Sequence, residues 1–394
     1  MDVGGRLRGV AAGAIVLVVR AVVAVVSRFR GAHRQPDAFY DAPSAVPPTP
    51  GALLRQEPHE RGIPRGARAW RILYTTTRAG GSPTVASALV VVPVPRPDGP
   101  MPVIAWAHGT TGAARQTAPS LLDDPLVQGA MPAVAEVVAR GWAIVATDYV
   151  GLGTAGPHAY LVGPEAGRAV LDAVRAAAAM DGPGPLGRVV AWGHSQGGAA
   201  ALWTALTAPA YAGDVPLDGV VALSPASDLM ALTSNAARIP VGAIFAAYTI
   251  QGFAVTYPDI VLDEWVRPAC RHLVRVIADR GIQGAEGIVA VVAALVAPSP
   301  IWSRDPTGGA MGARLIENVP SGRIGVPVLI GQGTGDPLIP ADVQAAFVEA
   351  LRASGTDVDY RTYEGLDHGG VVADGSPTVP EVLEWTAARF AAGR

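Results

Sequence analysis

Arg188-Val189-Val190-Ala191-Trp192-Gly193-His194-Ser195-Gln196-Gly197-Gly198-Ala199-Ala200-Ala201-Leu202-Trp203 is the stretch on which the reading of this chain turns. Arg188 to Trp192 is short and β-branched, the pattern of a strand buried on both faces. From Gly197 onward, alanines and leucine without a β-branched residue open a helix. Ser195 therefore stands on the turn from strand to helix. Such a turn needs strained backbone angles at its centre and nothing bulky at Gly193 or Gly197, and it leaves the serine hydroxyl exposed above the sheet. With 47 glycines in the chain, Gly-x-Ser-x-Gly alone carries little weight; its position between a strand and a helix gives it meaning.

Working outward, short β-branched runs alternate with helical patterns, which predicts a mostly parallel sheet covered on both faces. Eight strands are expected: Arg71 to Thr77, Val85 to Val92, Val103 to Ala107, Ala143 to Thr147, Arg188 to Trp192, Gly219 to Leu223, Val326 to Ile330 and Asp357 to Tyr363. The first two are joined by Ala79-Gly80-Gly81-Ser82-Pro83 and read as a hairpin. Helical patterns cover Pro132 to Arg140, Glu165 to Met180, Gly197 to Ala208, Ala341 to Ala353 and Val379 to Phe390.

About a hundred residues, Ala226 to Gly325, replace the short connection expected between the sixth and seventh strands. They contain apolar helical patterns, Val241 to Ala247 and Ile288 to Val296, too short to span a bilayer, and read as a helical cap over a site rather than a loop. Ahead of the sheet, Pro43, Pro47, Pro48, Pro50, Pro58 and Pro64 mark an extended lead-in without a core of its own, so compact structure is expected from about Ala69. The division is 1–30 leader, 31–68 lead-in, 69–225 with 326–394 as the core, and 226–325 as the cap.

A serine hydroxyl is a poor nucleophile until a base takes its proton. Of seven histidines, His33 and His59 lie in the leader and lead-in, His108 and His194 flank other motif positions, and His272 sits in the cap. His158 follows the fourth strand, away from where a base belongs. His368 follows the last strand and precedes the final helix, and is the expected base. Asp336, in Gly331-Gln332-Gly333-Thr334-Gly335-Asp336-Pro337 just past the seventh strand, is the expected acid that sets its tautomer. Asp228, after the sixth strand, is the alternative; Asp148 is read as shaping the loop that follows it, and Asp367 as too near the histidine in sequence to reach it correctly. The chain order nucleophile, acid, histidine is that of the α/β-hydrolase fold, and this is the expected fold class.

Attack by serine creates an oxyanion, which calls for preset backbone amides. Gln196, at the helix start, supplies one. The second is expected from Ala107-His108-Gly109-Thr110-Thr111-Gly112, with Thr110 as donor and Thr111 as the alternative.

Composition narrows the chemistry further. A net charge of −3 with no basic stripe argues against a nucleic-acid partner. All 30 basic residues are arginine, which removes Schiff-base and Ser-Lys chemistry. Cys270 is the single cysteine, so an internal disulfide, a Cys-rich zinc site and a redox pair are excluded; no metal or cofactor is expected. Arg6 and Arg8 precede an apolar run from Val10 to Val26 broken by Arg20, which reads as a signal peptide or membrane anchor. The expectation is a secreted or envelope-associated protein, with association to a membrane or lipid interface left open.

These motifs together resemble the secretory lipases, capped α/β-hydrolases of the fungal lipase A type, in their actinobacterial branch. The resemblance runs from about Phe39 to the carboxyl terminus. It rests on Phe39-Tyr40-x-x-Pro43, Trp106 to Gly112, Thr147-Asp148-Tyr149-x-Gly151-Leu152-Gly153, Leu171-Asp172-Ala173-Val174-Arg175, Gly193 to Gly198 and the segments around Asp336 and His368. It implies export, a cap after the sixth strand and hydrolysis of acyl esters. Fungal members carry disulfides, and this chain cannot form one internally. The expected function is a serine lipase or esterase working through an acyl-enzyme, with an acyltransferase, a peptidase or a catalytically inactive binding protein as alternatives.

Overall fold

In the computed structural model, residues 34–392 are described apart from 237, 240–241 and 298–299. The expected leader at 1–30 and Val241, the first residue of one expected cap helix, lie outside the described residues.

Among the described residues the sheet has nine strands rather than eight: β1 (Leu53–His59), β2 (Ala67–Thr77), β3 (Pro83–Pro93), β4 (Met101–Ala107), β5 (Ala143–Thr147), β6 (Leu186–His194), β7 (Leu217–Leu223), β8 (Val328–Gly333) and β9 (Val358–Tyr363). Their spatial order is β1-β2-β3-β5-β4-β6-β7-β8-β9. The pairs β1/β2, β2/β3 and β3/β5 are antiparallel, and every later pair is parallel.

The added strand corrects the reading of the lead-in. β1 pairs along β2 from Leu53 opposite Tyr74 to His59 opposite Ala69, and as the outermost strand it accommodates Pro58, whose missing N–H faces no further partner. Upstream of it, Phe39 and Tyr40 are buried in the core, and the Tyr40 hydroxyl meets Ser120 Oγ at 2.8 Å. Compact structure thus starts about thirty residues before Ala69, because a few anchoring aromatics and one edge strand suffice to dock a proline-rich segment.

Strand residues point alternately to the two faces. Val103, Ala105 and Ala107 of β4, with Val189 and Ala191 of β6, enter one core; Ile104, Trp106, Val190 and Trp192 enter the other. Each fully buried aliphatic side chain contributes about 1.5–3 kcal/mol relative to exposure. The helices covering the faces are α1 (Pro125–Gln128), α2 (Val134–Ala139), α3 (Gly163–Ala178), α4 (Gln196–Tyr211), α11 (Ala341–Ala353) and α12 (Thr378–Ala391), while α5 (Leu229–Ala236), α6 (Gly242–Thr256), α7 (Leu262–Trp265), α8 (Arg271–Ala278), α9 (Gly284–Val296) and α10 (Gly309–Glu317) all fall between β7 and β8. These six helices share a third apolar cluster, with Tyr248, Phe253, Trp265, Ile277 and Trp302, into which the loop residues Tyr160, Leu161 and Val162 insert. No helix among the described residues is long and apolar enough to cross a membrane.

The strand order reverses at β4: the chain leaves β4 for β5 on one side and returns to β6 on the other. A parallel sheet opens a crevice outside its carboxyl ends at such a point. Ala107 pairs with Gly193 at the ends of β4 and β6, so the segments carrying Thr110 and Ser195 emerge side by side.

Candidate active site

One residue connects β6 to α4, and that residue is Ser195, with φ +57° and ψ −120°. A non-glycine residue in this region is strained and persists only where its surroundings over-determine it. Here they do. The Ser195 N–H donates to the Leu223 carbonyl at 3.0 Å and its own carbonyl accepts from Ala226 N at 3.0 Å, which ties the turn to the end of β7. A Cβ on Gly193 would run into the Gly197 carbonyl, and one on Gly197 into the Ala107 carbonyl, so both flanking positions require glycine. The Ser195 residue is partly exposed, while Gln196 behind it is buried. The Gln196 amide is the first of α4, where helical N–H groups have no partner within the helix.

The β4 loop lies against this turn: a Cβ built on Gly109 would stand 3.9 Å from Ser195 Cβ. Thr110 follows, and its Oγ1 meets the Tyr160 hydroxyl at 2.7 Å. Thr111, the alternative donor, is engaged through its backbone carbonyl, which accepts from Ile282 N at 3.1 Å.

His368 and Asp336 sit beyond the adjacent strands β9 and β8, and His368 Nδ1 donates to Asp336 Oδ2 at 2.7 Å. The two loops are closed on one another: Gly365 N donates to Thr334 Oγ1 at 2.8 Å and Gly335 N to the Leu366 carbonyl at 3.0 Å. Asp336 Oδ1 accepts from Leu338 N and Ile339 N, both at 2.9 Å. Burial pushes this carboxyl upward, but the His368 hydrogen bond and charge, with those two amides, outweigh it and hold the group below its ordinary value. It is a carboxylate at neutral pH. The histidine loop is joined to the serine turn by His194, whose Nε2–H donates to the His368 carbonyl at 2.8 Å. Burial, then the nearby His368, lowers the His194 imidazole to about 3, so it is a neutral donor.

The other carboxylates are committed elsewhere. Asp228 Oδ1 caps α5 through Ala231 N at 2.9 Å, and Asp367 Oδ1 accepts from Gly370 N at 2.7 Å. Asp148 is buried and accepts from Ser87 Oγ, Ser120 N and Ser120 Oγ at 2.6, 2.9 and 2.6 Å.

Residues 117–283 match the family model described as secretory lipase. Over that stretch the chain is similar to the secretory lipases. Over 383 residues it is 26% identical to a protein of Mycobacterium tuberculosis named "Probable inactive lipase", covering 90% of this chain and 82% of that one. It is 24% identical over 386 residues to lipase A of Arthroderma benhamiae, covering 90% and 79%. Among solved structures, Candida antarctica lipase A aligns with a TM-score of 0.70 at 19% identity over 86% of this chain and 83% of its own. The rice cell wall degrading esterase of Xanthomonas oryzae aligns at 0.68, with 20% identity over 81% and 92%. The fold is that of the α/β-hydrolases.

One residue of this chain escaped the reading of the sequence. His158 is not a base for Ser195, but neither is it remote: it is buried, its Nδ1–H donates to the Val150 carbonyl at 2.9 Å, and its Nε2 accepts from Gln196 Nε2 at 3.1 Å. Two residues on, Tyr160 bonds Thr110. Strand-end position alone carries no signal for such residues, since both lie ten or more positions past the end of β5.

Proposed function

We propose that this chain is a serine carboxylic-ester hydrolase, a lipase or esterase, working through an acyl-enzyme on Ser195 with His368 as base and Asp336 as acid. The observation that carries the reading is the 2.7 Å Asp336–His368 bond on a loop tied by His194 to the strained serine turn. With Nδ1 committed to Asp336, Nε2 is the imidazole nitrogen left to serve Ser195. His368 Nε2 takes the hydroxyl proton as Ser195 Oγ bonds to the ester carbonyl carbon. The carbonyl π electrons move onto oxygen, which the amides of Gln196 and Thr110 receive; losing one such donor costs about 2.7–4 kcal/mol. As the carbonyl re-forms, the bond to the leaving alkoxide breaks and His368 returns the proton to it. Water then attacks the acyl group with His368 again as base, releasing the acid and restoring the serine.

Acyl esters of lipids are the substrate class that suits the likeness to lipases and the apolar helices between β7 and β8, which serve as a cap. No nucleic acid is part of this reading. The basic, apolar sequence before residue 31 supports a location at the exterior or the cell envelope. The M. tuberculosis relative's name favours one other reading, a binding protein on an inactive hydrolase fold. Labelling by a fluorophosphonate probe, and turnover of p-nitrophenyl esters of increasing chain length beside peptide anilides, separate them. Ser195→Ala is expected to abolish labelling and ester turnover with an unchanged melting temperature; an active Ser195→Ala enzyme would sink the assignment, and turnover of anilides alone would make it a peptidase.

A further inference from the structure

We infer that His158 and Tyr160, on the loop between β5 and α3, are positioning residues that hold the two oxyanion donors in register; this rests on the ester-hydrolase reading above. The donors come from separate segments, Thr110 after β4 and Gln196 at the start of α4, and each must present its amide to the same oxygen. One loop reaches both. The Tyr160 hydroxyl meets Thr110 Oγ1 at 2.7 Å, and His158 Nε2 accepts from Gln196 Nε2 at 3.1 Å.

Each contact is built to persist. The His158 tautomer is set by its Nδ1–H on the Val150 carbonyl, and burial, ahead of the other influences, lowers the imidazole to about 4, which leaves Nε2 a neutral acceptor. Gln196 Oε1 is buried with no hydrogen-bond partner among the described residues, so the bond to His158 orients this side chain. Tyr149 fills the space between, stacked on His158 with ring centroids 5.9 Å apart, packed on His108 at 4.4 Å, and donating its hydroxyl to the His108 carbonyl at 3.2 Å. Tyr149 holds φ +65°, so this loop too is strained at its root. On its outer side the Tyr160 ring packs edge-on against Tyr248 of α6, with centroids 5.6 Å apart. A buried chain of contacts thus runs from a helix of the insertion through Tyr160 to one donor segment, and through His158 to the other.

Freed of its tether, a donor remains in place chemically but loses its aim, and a misplacement of about 1 Å costs up to about 100-fold in rate. The test uses the full chain, with kcat and KM on p-nitrophenyl butyrate expressed per fluorophosphonate-titrated site, so that a misfolded fraction does not count. Tyr160→Phe and Thr110→Val each remove one partner of the same bond. Each is expected to lower kcat about tenfold with KM within about twofold, and to weaken an alkyl boronate, which mimics the tetrahedral intermediate, by the same factor. The double variant is expected to be no worse than either single one. His158→Phe, which tests the other arm, is expected to behave likewise. Unchanged kcat per titrated site, a loss confined to KM, or a double variant whose losses multiply would overturn the positioning role. Wild-type enzyme that neither labels nor turns over overturns the ester-hydrolase reading and this inference with it, whereas an active wild type with Tyr160→Phe at parity overturns the inference alone.

Discussion

Two strand-to-helix connections leave the same end of this sheet and meet at the same site, but they are held by different forces. Between β6 and α4 a single residue makes the turn, and backbone sterics dictate its shape: Gly193 and Gly197 sit against carbonyls that admit no side chain. Between β5 and α3 the chain takes residues 148–162, and its shape depends on side-chain bonds and ring packing from Asp148, Tyr149, His158 and Tyr160 to residues far away in sequence. A one-residue turn carries its instructions in five consecutive positions. A fifteen-residue loop carries its instructions in its partners.

The Asp336–His368 pair is the extreme case of the second kind, since two loops must close before it exists, and breaking it gives the largest expected effect. Asp336→Asn keeps the shape but loses the charge and the tautomer control, and is expected to lower kcat about 10⁴-fold with little change in melting temperature. Asp228→Asn, which touches only the cap of α5, serves as the control; if it suffers the 10⁴-fold loss instead, the acid has been assigned to the wrong strand end.

Gly197→Ala attacks the other kind of connection. The added methyl collides with the Ala107 carbonyl at the end of β4, and relief requires the first turn of α4 to move off that strand. A destabilisation of about 3 kcal/mol or more is expected in urea unfolding, in the range of a strained or overpacked core site. A wild-type midpoint for this variant would mean that the turn is not held by sterics.

Acid gives the smallest and most diffuse effect. Burial is the main cause that lowers the imidazoles of His59, His108 and His158 to about 4 and that of His194 to about 3, against 6.5 when unfolded. Below pH 6.5 the unfolded chain therefore binds protons that the folded chain does not, and stability falls as the pH drops from 6.5 towards 4. The buried carboxyls of Asp148, Glu165 and Asp172, raised by burial, take up protons in the folded state and flatten the slope at its acid end. Calorimetric melting temperatures at pH 7, 6 and 5 should decline steadily; a flat profile would show that these histidines are not held neutral.

Much of the sheet was legible because buried strands announce themselves by unbroken β-branched runs, and each of the eight expected strands has its counterpart. β1 was missed because only Leu53 and Leu54 are apolar in it and Pro58 argues against a strand, an argument that fails at a sheet edge. His158 was set aside because its position after β5 is wrong for a base, which is true and says nothing about what else a buried imidazole does.

For the site itself, the sequence alone determined the turn around Ser195, since the strand, the helix and the two excluded side chains are all encoded within sixteen adjacent residues. It also narrowed the proposed base and acid to a few strand ends. Tertiary structure decided which carboxylate meets His368, that His194 links the histidine loop to the serine turn, and that one loop reaches both proposed donors. Those outcomes depend on contacts between segments tens to more than a hundred residues apart. Local sterics write themselves into neighbouring residues, whereas a hydrogen bond across the fold leaves no trace in either partner's surroundings.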